Sequence, residues 1–435
     1  MKINKLNIVI VLFFSIITIY LLDFYILENS GNDHFWCVQI IQNFSVSNLN
    51  NIRLPIHCDE GTYRLAAMSL DNFFDRSNPY QSRPLYVGFI SILMSLVNNI
   101  PFIELSEYQQ FKVAIFLVQF TILLFIVRTF ISISKFKQFY KNEYIVIFLV
   151  CSIPGIRWNI FFPSVGNLTF LFFLISLKYL LYNNISNKEE NRLYIIFGLL
   201  SLAHLSAIVY GLIVKFYFYI KNRQLNKNTL FHFIILIFPY ILYRQIVSIS
   251  RYEYYDWHRS VYNQFYWILE VFQSDSGVSI QRECQTLSTF FKCNNLVTLN
   301  YLGYFGILIF YFLVLIIINK YNENGSIEII NKSFFICCSI FIFWSFQGYY
   351  EFFRFTNYSI GYFLFTSLIF LTFLVFKNDI FLLISLLLYE YSIPYLEPYN
   401  EAFNYPKLNY LTIASISFFL LFIFKNFNNK EASKT

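Results

Sequence analysis

The chain has 435 residues, 57% of them hydrophobic, 22% aromatic and only 13% charged, with a formal net charge of +7. Soluble domains carry about twice that share of charge, so a water-soluble multidomain enzyme, a coiled coil and a disordered chain are excluded. No block of like charges offers a nucleic-acid footprint, and neither DNA nor RNA is expected as a partner.

The first apolar run, 6–26, follows MKINK. It is too long for the core of a signal peptide and no small-residue cleavage site follows, so it reads as an uncleaved first crossing. A long polar loop, 27–85, comes next and contains HCDEGTYRLAAMSLDNFFDRSNPYQSRPLY. Asp59 and Glu60 stand immediately before a helical pattern of Tyr63, Ala66, Ala67, Leu70, Phe73 and Phe74. Acidic residues there favour a helix N-terminus, and equally a general base or a divalent metal ligand. The spacing does not separate these. Arg83-Pro84-Leu85-Tyr86 then opens an apolar stretch. Pro84 suits a first helical turn, and Arg83 at headgroup depth suits either snorkelling or a phosphate.

The stretch 86–104 ends in Pro101 and Glu104 and is expected to dip into the membrane surface without crossing. Runs 113–133, 144–162 and 167–182 are long and apolar enough to cross. Arg157 anchors a helix end or meets an anion. Segment 193–220 carries His204, Ser206 and Gly211 at its middle and is expected to form two short helices turning near His204. That histidine is a hydrogen-bonded core residue or an intramembrane functional one.

After the crossing 230–249 comes a second large loop, 250–300, dense in Tyr and Trp around Asp256, His258 and Arg259. Such aromatics stack on sugars and also populate bilayer surfaces. The remaining crossings are 301–319, 333–346, 358–376, 380–391 and 409–424, with Arg354 in EFFRFTNY before the third of these. Arg354 either pairs with Glu351 or faces a ligand.

These assignments make an all-α polytopic membrane protein of about twelve transmembrane helices in one transmembrane domain, with both termini inside. Inside segments then hold 16 Lys and Arg in 60 residues, and outside segments 12 in 161. Cys37, Cys58, Cys284 and Cys293 fall in the two outer loops, where one disulfide within each loop is expected. No CxxC spacing, internal repeat, Walker loop, HExxH or GxSxG motif occurs. The lack of matched broken helices weighs against a secondary transporter.

The first loop resembles that of the GT-C membrane glycosyltransferases, notably the aminoarabinose-transferase and protein O-mannosyltransferase branch. The resemblance is carried by Asp59-Glu60-Gly61-Thr62-Tyr63 and Arg83-Pro84-Leu85-Tyr86. Weaker blocks follow in the family's order: Ser152-Ile153-Pro154 to Pro163-Ser164-Val165-Gly166-Asn167, Gly198 to Leu205, and Phe353 to Tyr358. Departures are Gly166-Asn167 where a second acid is usual, His204-Leu205-Ser206 where Lys-Gly is usual, and the lack of a large soluble C-terminal domain.

The resemblance implies a GT-C-like fold in a bacterial inner membrane and an inverting transfer on its outer face. The sugar would pass from a polyprenyl-phosphate or polyprenyl-diphosphate carrier to a lipid, glycan or protein. Asp59 would be the base and Glu60 would assist it. Arg83, Arg354 and Arg157 would meet the leaving phosphate, and Tyr63 and His204 would bind substrate, with a divalent metal as an optional cofactor. The rival expectations are an O-antigen or capsule polymerase and, behind it, a transporter or flippase.

Overall fold

The computed structural model describes residues 10–17, 38–46, 49–57, 60–75, 78–100, 105–136, 160, 163, 165–181, 186–222, 229–250 and 327–345, with isolated helical residues between 381 and 425. Asp59, Arg157, Arg354, the loop 250–300 beyond Ser250, the four loop cysteines and the expected crossings 301–319 and 358–376 lie outside them. The chain divides into two units, one of residues 1–133, 143–152 and 156–257, the other of 134–142, 153–155 and 258–435.

In the first unit, residues 10–17 are helical and an antiparallel ribbon follows: β1 (Val38–Val46) pairs with β2 (Leu49–His57). From sequence alone this stretch is expected simply as outer loop. Its register slips between Ile40, opposite Pro55, and Asn43, opposite Arg53. Proline has no N–H to give the ladder, which accounts for the irregularity there.

Outside that ribbon the described elements are helical. The short α1 (Glu60–Met68) and α2 (Leu70–Phe73) are separated at Ser69, whose hydroxyl accepts from the Asn72 amide and caps the second. The expected continuous stripe is therefore broken, and Leu70 is left 71% exposed. A 3-10 turn, Pro79–Ser82, leads into α3 (Pro84–Asn98), with proline in its first turn. Fifteen residues rise about 22 Å, short of the roughly 30 Å hydrocarbon core.

Then come α4 (Glu107–Phe136), α5 (Gly166–Leu181), α6 (Asn187–Leu200), α7 (Ser206–Asn222) and α8 (Thr229–Ile249). Within them, Glu107–Ile133 and Thr229–Ile249 are long and apolar enough to cross a membrane. Segment 193–220 is indeed two helices, α6 and α7, joined by a turn over 201–205. α6 starts in a capping box, with Ser186 and Glu189 satisfying one another's backbone amides.

α6 packs on α8, and α7 packs on α5 and α6. The contact with α8 needs a glycine: a Cβ on Gly198 would lie 2.4 Å from the Ile235 carbonyl oxygen. Pro239 explains why that oxygen is available. It sits inside α8, four residues after Ile235, and has no N–H to satisfy it.

The second unit contains α9 (Ile327–Ser345), with Lys332 Nζ donating to Glu328 Oε1 at 2.5 Å one turn back. Cys337 and Cys338 on this helix are free thiols. Further on, Phe381 stacks on Phe418 at 6.4 Å and receives the Lys425 ammonium over its ring at 5.4 Å.

Candidate functional site

The first turn of α1 places Glu60 and Tyr63 on its buried side, with the two side chains 3% and 2% exposed. Glu60 begins the helix, where its negative charge is favoured by the unsatisfied amides. It is also consumed locally. Lys112 Nζ of α4 donates to its Oε1, and the Tyr108 hydroxyl donates to its Oε2 at 3.0 Å. This buried ion pair ties α1 to α4. Both carboxylate oxygens of Glu60 are thus engaged, and the charges of the pair cancel within it.

One turn on, Tyr63 stacks on Tyr80 of the 3-10 turn with centroids 3.6 Å apart and meets Tyr86 of α3 edge-on at 5.9 Å. These rings seat Arg83. Its guanidinium lies 5.2 Å from the Tyr80 centroid and 5.8 Å from that of Tyr63, and Nη1 donates to the Tyr63 hydroxyl. Cation–π contact fixes the group without neutralising it. Among the described residues no carboxylate pairs with Arg83, and of its five N–H donors the tyrosine takes one.

The backbone presenting Arg83 is held from several sides. Asn78 accepts from the Tyr80 amide at 2.9 Å while its amide nitrogen donates to Asn72 O at 3.0 Å. Arg83 N–H closes the turn on Tyr80 O at 2.9 Å. From α8, the Tyr243 hydroxyl donates to Gln81 O at 2.7 Å. On the far side of the rings, Gln119 of α4 donates to the Tyr86 hydroxyl at 2.9 Å and accepts from Asn167 of α5 at 3.3 Å.

His204 arrives from the turn between α6 and α7, which is tied to the start of α3 by Leu85 N–H donating to Leu202 O at 3.0 Å. Its Nδ1 receives the Ser206 amide at 3.3 Å and lies 2.6 Å from Ser206 Oγ. Burial, with the Arg83 charge adding to it, pushes its pKa down to about 3. The ring is therefore neutral at physiological pH.

The structure thus brings together Glu60, Tyr63, Arg83 and His204 from the sequence candidates. Asp59, next to Glu60 in the chain, and Arg157 and Arg354 lie outside the described residues. Sequence inspection missed Tyr80, Tyr108, Lys112, Gln119 and Asn167 as partners. A usable signal existed for two: Lys112 and Gln119 are polar residues at the edge and within an otherwise apolar run, where polar groups are costly unless paired.

Among the described residues no three His, Cys, Asp or Glu side chains converge as a metal site. Glu60 is a poor start for one, since an ammonium already faces its carboxylate and would oppose a second cation. Compared with known proteins, the chain matches no family model, no curated protein and no solved structure.

Proposed function

We propose that the chain is a membrane glycosyltransferase of the GT-C type, with twelve crossings and its site on the outer face of the membrane. It would move a sugar from a polyprenyl-phosphate carrier to a lipid, glycan or protein acceptor. The observation that carries this reading is Arg83: half-buried, clamped by two tyrosine rings, without a carboxylate partner among the described residues, and at the mouth of a short apolar helix. A cation kept fixed and un-neutralised suits an anion that comes and goes, and a guanidinium matches phosphoryl oxygens in geometry.

The chemistry follows from the residues in order. Asp59 takes the proton of the acceptor hydroxyl or amine as its oxygen or nitrogen bonds to the anomeric carbon. The bond from that carbon to the phosphate oxygen breaks, and the electron pair leaves with the phosphate. Arg83 offsets the charge that develops there, joined by Arg157 and Arg354. Glu60, locked by Lys112, orients the start of α1 and hence its neighbour Asp59.

Mass profiling of glycans and glycolipids in the native host tests this, with the gene deleted and then restored as wild type, Asp59→Asn or Arg83→Gln. Deletion is expected to remove one sugar from a defined acceptor. Both variants should reach the membrane and leave that sugar missing. An unchanged profile on deletion sinks the reading. It would favour transport, for which the network of Glu190, Lys215 and His232 across α6, α7 and α8 is the relevant feature: Lys215 Nζ lies 2.8 Å from Glu190 Oε1 and 3.0 Å from His232 Nδ1.

A further inference from the structure

We propose that His204 is a hydrogen-bond donor of the Arg83 anion site, keeping its hydrogen on Nε2 and donating it in a hydrogen bond to a phosphoryl oxygen of the bound carrier. The inference rests on the glycosyltransferase reading and adds a residue to it. It begins from Ser206. A backbone N–H can only donate, and that of Ser206 points at Nδ1 at 3.3 Å. That bond assigns the lone pair to Nδ1, the Ser206 hydroxyl 2.6 Å away then donates to the same atom, and a neutral imidazole so arranged carries its hydrogen on Nε2.

The backbone that carries the ring is held on both sides. His204 N–H donates to Leu200 O at 3.0 Å, and its carbonyl accepts from Ala207 N–H at 3.0 Å, so the turn is closed on both sides of the residue. The Leu85 to Leu202 hydrogen bond sews that turn to the segment bearing Arg83. No hydrogen bond of Nε2 is made among the described residues. A second cation beside Arg83 would be repelled by it. A neutral donor adds a bond to the same anion and brings no such repulsion, and the depressed pKa keeps it neutral.

The competing role is structural. With Nδ1 accepting the Ser206 amide, His204 caps the start of α7 much as an asparagine would. Two substitutions separate the roles. In His204→Asn the side chain can still cap but has no group at the place of Nε2. In His204→Gln the amide nitrogen falls near the place of Nε2 and the cap is poorer.

Full-length protein in nanodiscs would be titrated with a polyprenyl monophosphate and, separately, with inorganic phosphate, for wild type, both His204 variants and Arg83→Gln. Thermal unfolding would be followed alongside. Wild type should bind the lipid, His204→Asn should fold normally and bind about tenfold or more weakly, and His204→Gln should recover most of the affinity. Inorganic phosphate bound with the same dependence on His204 supports the donor role with the lipid tail idle. If His204→Asn binds like wild type while Arg83→Gln does not, His204 is only a cap and the inference falls, leaving the glycosyltransferase reading intact. If wild type binds neither probe, the two fall together.

Discussion

Removing one member of the buried Glu60–Lys112 pair strands the other charge away from water, which costs about 3–5 kcal/mol, whereas removing both costs far less. Lys112→Met and Glu60→Gln should each destabilise the protein by roughly that amount, the double variant much less, as read by denaturant unfolding in detergent. His204 supplies a prediction of opposite character. Its folded pKa of about 3 lies below the ordinary 6.5. Its neutral burial therefore contributes stability that is full above about pH 6.5 and is lost progressively as the pH falls toward 3. Thermal unfolding of wild type should show that decline, and His204→Gln should flatten it. What the sequence disclosed of the site divides along the same line. Tyr63 and Arg83 stand out from local motifs, but Lys112, Gln119 and Asn167 meet their partners across 52, 33 and 48 residues of chain. Spacing carries no information at that range.

Helices declared themselves in the sequence when length and apolarity agreed, as in α4, α5 and α8. The turn at His204 was legible too, since polar residues interrupt an apolar run there. The ribbon β1–β2 was not, because its pattern mixes asparagines and a proline with the alternating aliphatics. Nor was the break at Ser69, where a local cap overrides a helical stripe that runs on through Leu70. Glycines divide by what surrounds them. Gly198→Ala drives a Cβ to 2.4 Å from a backbone oxygen that cannot swing aside, and should cost about 1–3 kcal/mol or more by prising α6 from α8. Gly88, mid-helix in α3, has nothing within 4 Å of its Cβ position, so Gly88→Ala should stabilise by about 0.4–1 kcal/mol. Parallel melting curves of the two variants test both signs.

At the scale of the whole chain, α8 is the clearest sign of a bilayer. Leu230, Phe231, Ile234, Phe238, Ile241 and Ile249 are all exposed along it, an apolar surface suited to lipid. The proposed topology, with both termini inside and the loops 27–85 and 250–300 outside, has a direct check. A green fluorescent protein fused after residue 435 should fluoresce. Single cysteines placed in either loop, on a cysteine-free background, should react with an impermeant maleimide in intact cells.

The hydrogen bond from Tyr243 to Gln81 spans 162 residues. A ribosome moving at about 5–20 residues per second needs roughly 10 to 30 s to travel between those two positions. For that interval the turn that seats the arginine has left the exit tunnel without its brace. Pro239 stands one turn before Tyr243 in the same helix. The seat of Arg83 is therefore a late product of biosynthesis, completed only when α8 has been threaded into place, and a nascent chain stalled before residue 243 would carry the motif without its brace.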